Sequence, residues 1–101
     1  MYHFKTTALT AAYTHDVEDL AATSHQISFT KNGGDAGTLG IQVMPLGTDR
    51  FETLTDANGN AVSISMAANS TFGPFDGLFA AIKVTPTGFN GTDFTLTFAG
   101  A

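Results

Sequence analysis

Phe94-Thr95-Leu96-Thr97-Phe98 alternates large apolar and small polar side chains without a break, the period of a β-strand that buries one face. The spacing predicts a strand in the middle of a sheet. Upstream, Leu78, Ala80, Ile82 and Val84 alternate with Phe79, Ala81, Lys83 and Thr85, and Pro86 is expected to end that strand. Between the two, Thr87-Gly88-Phe89-Asn90-Gly91 is rich in turn formers. Further back, Val62, Ile64 and Met66 alternate with Ser63 and Ser65, behind the turn Asp56-Ala57-Asn58-Gly59-Asn60, whose Asn-Gly pair is a strong hairpin signal.

The same period continues toward the N-terminus. Leu39, Ile41 and Val43 alternate with Gly40, Gln42 and Met44, and Ile27 and Phe29 with Gln26, Ser28 and Thr30. The link Lys31-Asn32-Gly33-Gly34-Asp35-Ala36-Gly37 suits positive φ, so these two strands are expected to form an antiparallel hairpin with a mobile tip. Phe51 and Leu54, three apart, cannot share a face of a regular strand, which predicts a bulge or tight corner over 50–54. Val17, Leu20 and Ala21 behind Thr14 fit one or two turns of helix, or equally a short edge strand or irregular crossover. Residues 1–14 read as an N-terminal arm or first strand, and 15–101 as a single domain.

Alternation argues against a buried parallel sheet. The fold expected is all-β: an antiparallel β-sandwich, jelly-roll or Ig-like, of about six to eight short strands. The 101 residues allow one modest core, with roughly 5,400 Å² left exposed.

Composition narrows the function classes. Four Lys and Arg against nine Asp and Glu give a net charge of −5, and Lys5, Lys31, Arg50 and Lys83 are scattered singly, so nucleic acid is not an expected partner. No Cys is present, which removes disulfide frameworks, thiol catalysis and Cys-bound zinc. Met1-Tyr2-His3-Phe4-Lys5 begins no apolar run of signal-peptide length, and no membrane span is expected. Charged residues are only 13%, so the surface must be largely Thr, Ser, Asn, Gly and Ala, as suits a protein held against a partner.

Candidate sites are few. Asp56, Asn58 and Asn60 have the spacing of Ca²⁺-wrapping oxygens, with Asp49 and Glu52 nearby, but Gly59 precedes Asn60 and no acidic residue closes the loop; a hairpin turn explains the same residues. His3, His15 and His25 lie ten or more residues apart, and no metal or cofactor is expected. His25 is expected at a hydrogen-bonded rim position. His15-Asp16 has no Ser in a nucleophile elbow to serve, and Glu18 and Glu52 are the only Glu, so an enzyme is not expected. Phe72, Phe75, Phe79 and Phe89 could form a sugar-stacking platform, but a hydrophobic core or a subunit interface accounts for them with less strain.

Gly47-Thr48-Asp49-Arg50-Phe51, Leu54-Thr55-Asp56-Ala57-Asn58-Gly59-Asn60-Ala61, Phe72-Gly73-Pro74-Phe75 and Val84-Thr85-Pro86-Thr87-Gly88 are turn and corner motifs in fixed order. With them, Leu39 to Phe98 resembles the small β-sandwich virion proteins of tailed bacteriophages, of the capsid decoration or cement type. The chain departs from that pattern at Pro45-Leu46-Gly47, where the family has a Ser-Leu-Asp-Gly turn, and residues 1–24 carry no family mark.

The resemblance implies a structural protein, made in the host cytoplasm, that sits on the capsid exterior. Its partner would be the major capsid protein, bound as a homo-oligomer, a trimer. Tyr2, Phe4, Leu9, Phe79 and Phe89 are the candidate partner-binding residues. The alternative is a neck, tail or fibre module that binds host surface polysaccharide through exposed aromatics such as Phe79 and Phe89.

Overall fold

Strand alternation resolves into two antiparallel sheets that face each other across one core. A computed structural model describes residues 2–17, 19–34, 36–91 and 93–101, with side chains from Leu9 onward. Among these residues the strands are β1 (Tyr2–Leu9), β2 (Tyr13–Asp16), β3 (Ser24–Lys31), β4 (Thr38–Pro45), β5 (Glu52–Thr53), β6 (Ser63–Ser65), β7 (Ser70–Asp76), β8 (Phe79–Thr87) and β9 (Phe94–Gly100). One sheet runs β1-β9-β3-β7; the other runs β2-β8-β4-β5, with β6 also paired to β4. This is the expected all-β sandwich, and seven of its strands have four residues or more. Its accessible surface, 5304 Å², is close to the value expected of a folded monomer of this size.

The core forms where the inward residues of the two sheets meet. Ile27, Phe29, Phe94, Leu96 and Phe98 come from the first sheet and Leu39, Ile41, Val43, Ile64, Ile82 and Val84 from the second, all buried. β9 lies between β1 and β3, the central position that its uninterrupted pattern predicts. Val62 and Met66 extend the inward row of β6 as their spacing predicts.

Three expectations are corrected, and of the two readings of residues 17–22 the edge strand with a crossover holds. β3 and β4 do not form a hairpin: β3 pairs with β9 and β7, β4 with β8, β5 and β6. The six residues of 32–37 are long enough to carry the chain from one sheet to the other, about 10 Å away. Residues 17–22 are not helical where described. Val17 N–H bonds the Ala80 carbonyl (3.0 Å), Ala22 N–H bonds Asp19 O (3.0 Å), and the Asp19 carboxylate accepts from Ala21 N–H, so the short edge strand β2 runs into a crossover turn.

The inward face of β8 is not that of Leu78 and Ala80. Phe79 is buried and Leu78 is 46% exposed, because the β4–β8 register shifts between Met44↔Ala81 and Pro45↔Phe79. The extra residue lets Phe79 and Ile82, three apart, point the same way. Nor does Pro86 stop β8, which continues to Thr87 with Pro86 opposite Leu39. On the other side of β8, β2 ends at Tyr13↔Val84, so proline's missing N–H faces no strand there.

A second bulge brings Phe72 and Phe75 together. Gly73–Pro74, a cis peptide, lies where the β3–β7 register shifts, between Ile27↔Phe72 and His25↔Phe75. The two rings lie 5.5 Å apart and pack against the core. At 50–54, Glu52 and Thr53 form β5 while Leu54 packs on the core and Phe51 meets Lys83, so the two hydrophobics take separate surroundings.

Candidate functional site

Most residues singled out in the sequence have a definite place. Asp56 is spent on its own turn: its Oδ1 accepts from Asn58 N–H (2.9 Å) and Asn60 N–H (3.0 Å), and its backbone closes onto Asn60 and Gly59. Thr55 then bridges Ala61, and Val62 N–H bonds Leu54 O, which makes 54–62 a hairpin.

His25 is buried rather than at the rim. Its Nε2 lies 2.8 Å from the Gly77 carbonyl oxygen, which only accepts, so that nitrogen carries the hydrogen. Phe75 and Phe79 enclose the ring at 5.6 and 5.1 Å. His15, on the opposite sheet, stacks on Phe98 at 4.3 Å and 11°. The His3 side chain and Glu18 lie outside the described residues. Among those described, no three His, Asp or Glu side chains converge as metal ligands would.

The aromatic group divides. Phe72, Phe75 and Phe79 cluster around His25 against the core, while Phe89 meets Phe94 edge-on at 5.3 Å elsewhere. Phe79 is buried and Phe89 half-buried, so neither stands out as a stacking surface. Leu9 is half-buried against the core opposite Phe94. The side chains of Tyr2 and Phe4, on β1, lie outside those described.

The described cationic side chains are engaged within the chain. Lys31 Nζ donates to Ala67 O (3.2 Å), Arg50 pairs with Glu52 (3.3 Å), and Lys83 lies over Phe51, 5.7 Å from the ring centre. What remains outward, beside carboxylates such as Asp16, Asp49 and Asp76, is largely neutral: a Ser28–Thr71 hydroxyl pair and the exposed threonines and serines of the strands.

Tyr13, half-buried beside Phe98, has its phenol raised above the ordinary tyrosine value, by burial first and the Asp16 carboxylate second. The neutral phenol is the form that the fold favours. The stability it contributes is therefore complete below the ordinary tyrosine range and is lost as pH rises through the raised value. An alkaline absorbance titration of Tyr2→Phe, which leaves Tyr13 as the sole tyrosine, should show late ionisation. Asp16→Asn should move it only part of the way back, since burial is the larger cause; a full return, or no movement, contradicts this.

Sequence reasoning missed two features. Leu20, Leu46 and Leu78, 43–46% exposed, are the large hydrophobics left exposed among the described residues. They lie at one end of the sandwich, on the turns after β2, after β4 and before β8. Leu46 N–H bonds Leu78 O at 3.0 Å, and the Val17–Ala80 bond sets the third turn alongside. The usable signal was Phe79 and Ile82 three apart, the spacing that marks a bulge and turns Leu78 outward. The second feature is a groove of about 410 Å³ on the outer side of β4, opened by Gly40. No protein-family model matches the chain, and no curated protein matches it.

Proposed function

We propose that the chain is a virion structural protein of a tailed bacteriophage, a capsid decoration or cement protein that binds the outside of the major capsid shell and stabilises it. It binds as a homo-oligomer, in the family pattern a trimer, and acts by adhesion without catalysis. The observation that carries this reading is the apolar end made by Leu20, Leu46 and Leu78 on a body whose described cations are already engaged. Three exposed leucines from three neighbouring turns take no part in this chain's own core, and burial against a partner would remove them from water. Neutral hydroxyl-rich strands and sheet edges add polar contacts around such a dock.

The test is to mix the purified protein with shells lacking it and to measure occupancy. Saturation at a fixed ratio to the major capsid protein is expected, and its absence overturns the reading. The double variant Leu46→Asp/Leu78→Asp should lower shell affinity by about tenfold or more while changing stability by only about 0.5 kcal/mol per site, since both side chains already meet water. Unchanged occupancy would move the dock elsewhere.

A further inference from the structure

Gly40 stands in the middle of β4, and nothing in the fold requires glycine there. Its φ is not left-handed, and a Cβ built on it would meet only the Thr85 carbonyl, at an ordinary 3.8 Å. Glycine within a strand costs about 0.5–1 kcal/mol relative to alanine and marks a bulge, a bend, or a place where a ligand or another backbone comes close; the pairing at Gly40 is regular on both sides.

Its surroundings show what could approach. Leu39, Ile41 and Val43 point inward, so Gly40 and Gln42 lie on the outer face. Gly40 is flanked by Ser63 on β6 and Thr85 on β8, and Gln42 by Thr53 on β5 and Lys83 on β8. The missing side chain leaves a groove of about 410 Å³ lined by the polar Gln42, Thr53, Ser63 and Thr85 and by the apolar Ile41, Ala61 and Val62. No charged residue lines it; Lys83, next along, is held over Phe51.

We propose that this groove binds a neutral glycan. Its volume is in the range of small-ligand sites, about 300–1,000 Å³. An anionic ligand would find no cation in the lining, and a wholly apolar one would leave hydroxyls and an amide unpaired. Sugar hydroxyls match groups that both donate and accept, while the C–H face of a pyranose rests on bare backbone at Gly40 and the methyl of Ala61. The polysaccharide contact that the sequence placed at Phe79 and Phe89 is thereby assigned to a different surface. The proposal stands apart from shell docking, which uses the leucine end.

The test is an amide NMR titration with maltose, cellobiose, chitobiose and galactobiose, and with sialyllactose as the charged comparison. A shallow neutral site should give a Kd of about 0.1–10 mM for at least one neutral sugar. The perturbed amides should centre on Gly40, Gln42, Thr53, Ser63 and Thr85. Gly40→Leu fills the groove and should weaken binding about tenfold or more with a melting temperature no lower than the parent's. Gly40→Ala checks that the strand tolerates a side chain.

No perturbation by any neutral sugar at about 20 mM overturns the proposal, as does binding that Gly40→Leu leaves intact or a preference for sialyllactose. Shell occupancy of Gly40→Leu separates the two readings. It should equal that of the parent; if it falls while no sugar binds, the groove belongs to the protein partner. Failure of every form to bind shells, with sugar binding intact, would sink the docking reading alone.

Discussion

Replacing Phe98 with alanine should destabilise the protein by about 3–5 kcal/mol, the usual cost of removing a buried phenylalanine ring. Phe98 is fully buried on the central strand β9, flat against His15 and 6.2 Å from Tyr13, so its loss leaves a cavity touching both sheets. A domain of this size has about 5–15 kcal/mol of stability in total. The melting temperature should drop by at least about 12 °C, at about 4–8 °C per kcal/mol, which calorimetry reads directly. Phe89→Ala supplies the comparison: half-buried and in edge contact with Phe94, it should cost less than half as much. Equal losses for the two variants would mean that the core does not centre on β9.

Gly73→Ala is expected to cost about 2–4 kcal/mol, for two reasons that act together. At φ +125 Gly73 occupies backbone space that residues with a side chain rarely adopt. An added Cβ would also lie 2.8 Å from the His25 carbonyl oxygen and 3.1 Å from Gln26 Cα, backbone atoms of β3 that cannot turn aside. Relief requires β7 to move from β3, which would disturb the bulge aligning Phe72 and Phe75. Gly59→Ala isolates the first reason, since its φ is +81 but nothing lies within 4 Å of the added carbon, and should cost about 1 kcal/mol. Urea melts of both variants check the difference; a Gly73→Ala loss no larger than that of Gly59→Ala shows that the strand contact yields.

The legible parts of the sequence were those in which a local pattern has one physical meaning. β9, β3, β4 and β6 all bury the residues that their alternation marks, and Asp56 to Asn60 forms the turn that its composition predicts. Alternation fails in β8 because it does not see a register shift: it puts Leu78 on the face of Ile82 and Val84 and Phe79 on the other, whereas Phe79 is the buried one. The His25 rim position failed because its bond to Gly77 depends on β7 returning beside β3, 52 residues later in the chain. The leucine end and the groove were invisible for a related reason. One combines turns distant in sequence, and the other needs Gly40 to lie between Ser63 and Thr85.

From its residues alone, then, this chain determines its class: strands with one apolar side, turns between them, few charges, and hence a layered β-structure with a sparsely charged, net acidic skin. Alternation along a strand states which side is greasy because successive side chains must point opposite ways. It does not state which strand lies alongside, since backbone pairing is nearly blind to residue type. The pairing of β3 with β9 and β7 rather than β4, the bulges at Phe79 and Gly73, and the clear space over Gly40 were therefore decided only when both sheets closed on a shared core.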